Sequence, residues 1–306
     1  QVRESSSFVE FTPDRAPSAL SQSVMPRHLT LPWLISTSFA LAMMGVSADL
    51  VLPPDMPCLR SSSESCTIGR QADLEAFAAQ LLLRNGSEVG PLTIQDEVND
   101  LQPLSGWSGA MKGLLVKNTQ LASLRGLKGI WSLGSGSDGY SIHIADNKEL
   151  LKLEGLAGLK GDLPGSLWIS GNAKLVSLQG LQGITSLGSS DDGYSIYIDS
   201  NMELRNLTGL AGLQGNLSGG LLIDNNAKLV SLQGLQGITS LGSSYDGYSI
   251  YIDGNMELRN LAGLAGLQGN LSGGLFIEDD DGYSISIDGD MELRNLAGNN
   301  TKLVSL

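Results

Sequence analysis

Histidine and cysteine are the scarcest reactive residues in this 306-residue chain, which has only His28 and His143, Cys58 and Cys66. Two distant histidines offer no convincing Ser-His-Asp arrangement and no histidine cluster for a metal, so the composition calls for no cofactor. Two cysteines allow a single local disulfide. Basic residues are also few: 19 Lys and Arg face 32 Asp and Glu, for a formal charge of −13 and a pI near 4.5. That field disfavours phosphate backbones and anionic membrane surfaces, which argues against a nucleic-acid partner. Beyond Met44 no long apolar stretch occurs, so nothing downstream would cross a bilayer. What the chain has in abundance is glycine, with 39 residues, beside a 41% hydrophobic content. Glycine at that density marks repeated turns and predicts an elongated module.

The one apolar run sits near the start. Met25-Pro26-Arg27-His28 precedes it, Leu29 to Met44 forms it, and Val46-Ser47-Ala48 closes it. A basic start, an apolar middle and small residues before a cut read as a signal peptide over 25–48, with mature protein from Asp49. Residues 1–24 then read as an untranslated or mis-joined leader. The alternative is a signal anchor, but the run is short for a span and is interrupted by Pro32. A secreted chain meets an oxidising compartment, where Cys58 and Cys66 are expected to pair; the alternative is two thiols in an intracellular protein.

Self-similarity organises everything after residue 90. Residues 173–226 and 227–280 align without a gap and differ at seven of 54 positions, the mark of tandem duplication. Each copy contains two half-repeats of the form apolar-x-Ile-x-x-Asn-x-x-Leu-x-x-Leu-x-Gly-Leu. Leu167-Trp168-Ile169 leads to Asn172, Leu175, Leu178 and Leu181; Ile196-Tyr197-Ile198 leads to Asn201, Leu204, Leu207 and Leu210. The lead residues Leu92, Leu114, Ile142, Leu167, Ile196, Leu221, Ile250 and Leu275 are spaced by 22 to 29 residues. A short strand cannot bury its inward face alone, so successive coils are expected to stack strands into one parallel sheet. The fold class read from this is mainly β: a right-handed parallel β-solenoid over 91–298, with a truncated coil over 299–306. Period-two alternation points Ile196 and Ile198 inward and Ser195, Tyr197 and Asp199 outward. The Asn residues are expected to bond backbone groups at the corners, and the Asp-Gly pairs at 138–139, 192–193, 246–247 and 281–282 to form turns. Asp279-Asp280-Asp281-Gly282 lacks the spacing and closing Glu of a calcium loop and reads as a solvated turn.

Ahead of the repeats, residues 49–90 read as a cap. Leu74, Phe77, Ala78, Leu81 and Leu82 fall at helical spacing, predicting a helix over 72–84 that stops at Asn85-Gly86. Such a helix would cover the apolar edge of the first coil. At the other end Leu275 and Ile285 are only ten residues apart, and Gly298 runs directly into Asn299. These read as internal deletions that leave the last coils poorly closed.

The stretch from Gly113 to Leu127, with Leu92-Thr93-Ile94 before it and Tyr140-Ser141-Ile142-His143-Ile144 after it, resembles the receptor L-domain family. That family includes the ligand-binding lobes of insulin and epidermal growth factor receptors and modules of anchored fungal cell-wall proteins. The resemblance covers about residues 58–298 and implies a leucine-rich-repeat-like β-solenoid that binds ligands on its broad sheet face. The cysteine-rich modules that join receptor lobes are absent, and the near-identical copies are more regular than a receptor lobe.

The outward residue at each strand centre forms a column: Leu115, His143, Trp168, Tyr197, Leu222, Tyr251 and Phe276. An acidic column of Asp199, Asp224, Asp253 and Glu278 runs beside it, and small residues Ser141, Ser166, Ser195, Gly220, Ser249 and Gly274 lie on the other side. Aromatic faces stack on sugars or anchor protein partners, and carboxylates accept hydrogen bonds from hydroxyls. The plainer explanation is cross-strand stabilisation of the sheet. Sequons at Asn85, Asn206, Asn216, Asn270 and Asn299 suit a secreted glycoprotein. The expected function is therefore extracellular or cell-surface recognition of a protein or carbohydrate. Membrane association would come only through a signal anchor or a missing C-terminal anchor. A structural wall or matrix protein is the main alternative. A polysaccharide-active enzyme, for which Asp199 and Asp224 would be the paired carboxylates, is the lesser one, and the chain reads as a non-enzyme.

Overall fold

The computed structural model describes residues 56–84, 86–268 and 271–278 and the strand Ser284–Ile287. The expected leader, signal peptide and terminal coil, the Asp279–Gly282 turn, and the sequons at Asn85, Asn270 and Asn299 lie outside the described residues.

The chain is mainly β, with one α-helix among the described residues. Strand β1 (Cys66–Ile68) is followed by helix α1 (Gln71–Leu82) and then β2 (Leu92–Gln95). After that, short and long strands interleave: β3 (Gly109–Met111), β4 (Leu114–Lys117), β5 (Ile130–Leu133), β6 (Tyr140–Ala145), β7 (Gly161–Leu163), β8 (Ser166–Ser170), β9 (Ile184–Leu187) and β10 (Tyr194–Asp199). The alternation continues through β11 (Gly215–Leu217), β12 (Gly220–Asp224), β13 (Ile238–Leu241), β14 (Tyr248–Asp253), β15 (Gly274–Glu278) and β16 (Ser284–Ile287). Nine strands make one all-parallel run in the order β1-β2-β4-β6-β8-β10-β12-β14-β15. The pairs β3-β5, β7-β9 and β11-β13 form three small parallel sheets.

The eight lead residues stand in register across the main sheet, from Leu92 opposite Leu114 to Ile250 opposite Leu275. They and the apolar residues two positions on, such as Ile144, Ile198 and Ile223, are almost wholly buried. Leucines at the following repeat positions, Leu175, Leu178 and Leu181 among them, complete the same core. Full burial of one such side chain is worth about 1.5–3 kcal/mol, and the core runs the length of the sheet.

Each main-sheet strand turns away in the same manner. Asp96, Asn118, Asp146, Gly171, Ser200, Asn225 and Gly254 occupy equivalent positions, all with φ between 53° and 65°. The residue after this left-handed step carries the asparagine ladder. Asn201 Nδ2 donates to the Ile169 and Asp199 carbonyls at 2.9 Å each, while its Oδ1 accepts from the Asn172 backbone N–H at 3.2 Å. Asn147, Asn172, Asn226 and Asn255 repeat the arrangement, and Thr119 closes the ladder by donating its hydroxyl to Asn147 Oδ1. Buried polar groups at the corners are thereby satisfied by side chains. Further along, the Leu-x-Gly-Leu glycine enters a short 3-10 turn pressed against the preceding segment. A Cβ on Gly155 or Gly209 would run into the carbonyl of Leu124 or Leu178.

Three features differ from the sequence expectation. The sheet begins one strand early, because Cys66-Thr67-Ile68 pairs in register with Leu92-Thr93-Ile94. Helix α1 thus belongs to the crossover between two parallel strands, burying Leu74, Phe77, Ala78 and Leu81, with the Cys58–Cys66 disulfide tethering the start of β1. At the far end the parallel run stops, since β16 pairs with β15 antiparallel, Ile285 opposite Ile277. Parallel strands need a crossover of about a dozen residues or more, and five residues separate Glu278 from Ser284, enough only for a reversal. The third difference, a bulge, shapes the outer face.

Candidate functional site

The outer face of the main sheet is built by the residues between the inward pairs. Thr93, Leu115, His143, Trp168, Tyr197, Leu222, Tyr251 and Phe276 are direct neighbours in register. Lys117, Ala145, Ser170, Asp199, Asp224 and Asp253 form the next column, with Glu278 following on β15. Leu115, His143, Trp168, Tyr197, Tyr251 and Phe276 are half-buried. Leu222 is the exception, only 9% exposed and recessed between its neighbours. It is shorter than the rings on either side of it.

The rings are arranged face to face along the sheet. Trp168 and Tyr197 stack with centroids 3.4 Å apart and planes 4° from parallel, and Tyr251 and Phe276 stack at 4.8 Å and 14°. Because the stacked partners sit on adjacent strands, their faces point along the sheet and their edges point to solvent. The shared faces are occupied, so a sugar ring cannot lie on them without opening the stack. One face of Tyr197 and one of Tyr251 remain unstacked, both turned toward Leu222.

Alternation alone misses three further aromatics. Tyr140, Tyr194 and Tyr248 begin β6, β10 and β14, and their parity would send them into the core. A register shift between Tyr194 and Ile196, repeated at Tyr140/Ile142 and Tyr248/Ile250, inserts one extra residue. Such a bulge re-aims the residue before it. Tyr194 therefore stands edge-on to Tyr197 at 5.6 Å, Tyr140 contacts both His143 and Trp168, and Tyr248 contacts Tyr251 and Phe276. The hydroxyls reach two coils onward: Tyr140 donates to Asp192 and Tyr194 to Asp246, each at 3.1 Å. The same bulge overturns the expectation of an outward small-residue column. Ser141, Ser166, Ser195, Gly220, Ser249 and Gly274 are buried. Ser195 Oγ accepts from the Gly219 backbone N–H at 2.8 Å, and Ser141 and Ser249 do the same for Gly165 and Gly273. The signal that could have revealed this was the alternation of shorter and longer spacings, the longer segments carrying the Gly-Tyr-Ser insertion.

The electrostatics divide the face. Burial, reinforced by the Lys117 charge, lowers His143 to about 4, despite the opposing pull of Asp138 and Asp146, so it is neutral near pH 7. Burial and nearby carboxylates push Tyr197 and Tyr251 up to about 12, keeping both phenols protonated. Burial, followed by repulsion from Asp199 and Asp253, raises Asp224 to about 6, against a backbone hydrogen bond from Asn225 that favours the anion. Its neighbours are better satisfied: Asp199 accepts from the Ser200 hydroxyl, and Asp253 from the Gly254 N–H and the Tyr251 hydroxyl. Asp224 Oδ1 is buried with no hydrogen-bond partner.

Among the described residues, no group of three or more His, Cys, Asp or Glu is placed to hold a metal, and no helix is long and apolar enough to cross a membrane. His143 lies against the Tyr140 and Trp168 rings. Of the described sequon asparagines, Asn216 is exposed, and Asn206 is half-buried with its Oδ1 accepting from Thr208. No family model matches the chain, and neither does any curated protein or solved structure.

Proposed function

We propose that the chain is a right-handed parallel β-solenoid of the receptor L-domain kind, and that it works outside the cell as a ligand-binding module. Support for the architecture comes from the nine in-register parallel strands and the regular crossovers between them; crossovers between parallel strands of one sheet are almost always right-handed. The disulfide suits an oxidising compartment. The ligand, a protein or a glycan, binds the outer face. The observation that carries this reading is the column of half-buried aromatic residues running beside Asp199, Asp224 and Asp253 on adjacent strands. Aromatic edges and carboxylates in one continuous stripe are the surface a partner uses.

A structural wall or matrix role is the second reading. What favours it is that the rings stack on one another and the tyrosine hydroxyls tie repeats together, contacts that stiffen the sheet without a ligand. The two readings separate on a glycan and extracellular-protein array probed with the wild-type chain and a Trp168→Ala, Tyr197→Ala, Tyr251→Ala variant, circular dichroism confirming the fold of both. The recognition reading expects saturable binding that the folded variant loses. Absence of binding by the wild type would leave the structural role.

A further inference from the structure

Resting on the ligand-binding reading above, we propose that the position over Leu222 is a slot for an arginine side chain presented by a partner protein. Trp168 covers one face of Tyr197 and Phe276 covers one face of Tyr251, so the faces without a stacked ring look at each other across β12. Between them Leu222 forms a low apolar floor. Tyr194, in register with Gly220 on the same strand, bounds one end, and Asp224, two residues beyond Leu222 on the same side of the strand, bounds the other.

The dimensions suit a cation. Two strand spacings place Tyr197 and Tyr251 roughly 10 Å apart, so a charge midway lies about 5 Å from each ring. That is inside the roughly 6 Å over which a cation is attracted to an aromatic face. Two residues along a strand span about 7 Å, which brings a group over Leu222 within reach of the Asp224 carboxylate. A guanidinium is flat, fits between two facing rings, and offers N–H donors to a carboxylate, whereas an ammonium is a compact, strongly hydrated point charge.

Charge complementarity points the same way. All five described ion pairs, from Arg70–Asp73 to Lys228–Glu203, lie away from the Asp199, Asp224 and Asp253 column. Asp224 is the least satisfied of the three, and the chain as a whole carries −13. A partner cation relieves this repulsion, while an anionic or neutral partner leaves it in place. In the following copy Phe276 and Glu278 stand where this copy has Leu222 and Asp224. Phe276 fills the equivalent space with a ring stacked on Tyr251.

That copy also supplies a variant compatible with the fold: Leu222→Phe reproduces Phe276 and closes the slot. Asp224→Asn removes the carboxylate at its end. Asp162→Asn removes one charge elsewhere; it reproduces Asn216, which accepts from Thr239 as Asp162 accepts from Thr185. The full chain is titrated into fluorescein-labelled tetra-arginine, tetra-lysine and tetra-citrulline peptides at near-physiological salt, with anisotropy as the readout. The proposal expects saturable binding of the arginine peptide, at least threefold weaker binding of the lysine peptide, and none of the citrulline peptide. It further expects at least a tenfold loss in Leu222→Phe and in Asp224→Asn, and less than a twofold change in Asp162→Asn. No binding of the arginine peptide, or binding that all three variants share equally, overturns it. If the arginine slot fails in this way while an array ligand is still lost on Tyr197→Ala, the arginine assignment alone is wrong; if the array ligand is also unaffected, the ligand-binding face itself is wrong.

Discussion

The two near-identical copies, residues 173–226 and 227–280, differ at seven positions, and none of these is an inward leucine or isoleucine. Leu222 against Phe276 and Asp224 against Glu278 lie on the outer face. Ser200 against Gly254 lies at the corner turns, as do Asn225 and Asn226, which align in sequence with Asp279 and Asp280. Asp191 against Tyr245 lies in the stacked loops, and Thr208 against Ala262 opens a 3-10 turn. The core admits no change because each leucine must fill a space whose shape recurs in the next segment. The turns and the face are constrained less, so the sharpest tests substitute equivalent residues in the two copies.

The largest expected effect is in the ladder. Asn201→Leu leaves the Asn172 N–H without its acceptor and removes the side-chain donor to the Ile169 and Asp199 carbonyls, of which Asp199 keeps the Gly171 N–H. A buried orphan costs about 1–3 kcal/mol, so the variant should lose about 2 kcal/mol or more in a denaturant titration. Asn255→Leu should cost less, because Asn255 is 8% exposed where Asn201 is fully buried, so water reaches the groups it leaves more readily. Equal losses would show that this difference in exposure does not matter.

A smaller effect is expected at the left-handed corner. Ser200 holds φ 56° where the next copy has Gly254 at φ 59°. Left-handed backbone costs a non-glycine residue roughly 1 kcal/mol, so Ser200→Gly should raise stability by up to that amount and Gly254→Ser should lower it. The Ser200 hydroxyl bond to Asp199 offsets part of the gain. Thermal unfolding of the two single variants measures the difference directly.

The smallest effect is in pH dependence, where the two ends of the face oppose one another. Asp224, at about 6 against an ordinary 3.8, is flanked by Asp199 and Asp253 and by the Tyr197 and Tyr251 rings. The folded chain binds its proton more tightly than the unfolded one, so this group favours the fold as pH falls from about 6 toward 3.8. His143, at about 4 against 6.5, faces Lys117, Asp138 and Asp146, and it disfavours the fold as pH falls from 6.5 toward 4. The contributions oppose across the same window. Relative to wild type, His143→Gln should gain melting temperature on acidification through that window, and Asp224→Asn should lose it. Parallel shifts in both variants would contradict the assigned environments.

The repeat made much of the fold legible. Apolar residues recurring once per coil mark inward positions, and the eight lead residues read from spacing alone stand in register in the sheet. Strand β1 was hidden because Cys66-Thr67-Ile68 lacks the repeat pattern and is separated from β2 by a helix. Of the face, the column and its order were legible; the orientation of its rings was not. Strict alternation carries no information about a bulge, so Tyr194 reads as inward and Ser195 as outward, the reverse of what one extra residue produces. Nor does sequence reveal that Trp168 and Tyr197 cover each other, since stacking depends on side-chain torsions on two strands at once. The near-burial of Leu222 follows from its taller neighbours and is visible only once their rings are placed.

The most direct test of the ligand-binding account contrasts two aromatic surfaces of one molecule. Trp131 on β5 is 51% exposed and lies off the main sheet, whereas Tyr197 and Tyr251 lie on its outer face. Binding to arrayed glycans and extracellular proteins is measured for wild type, for Tyr197→Ala with Tyr251→Ala, and for Trp131→Ala, all confirmed as folded. The account predicts a ligand that the double tyrosine variant loses and the Trp131 variant retains. A ligand that survives the tyrosine changes, or one lost with Trp131, would contradict it.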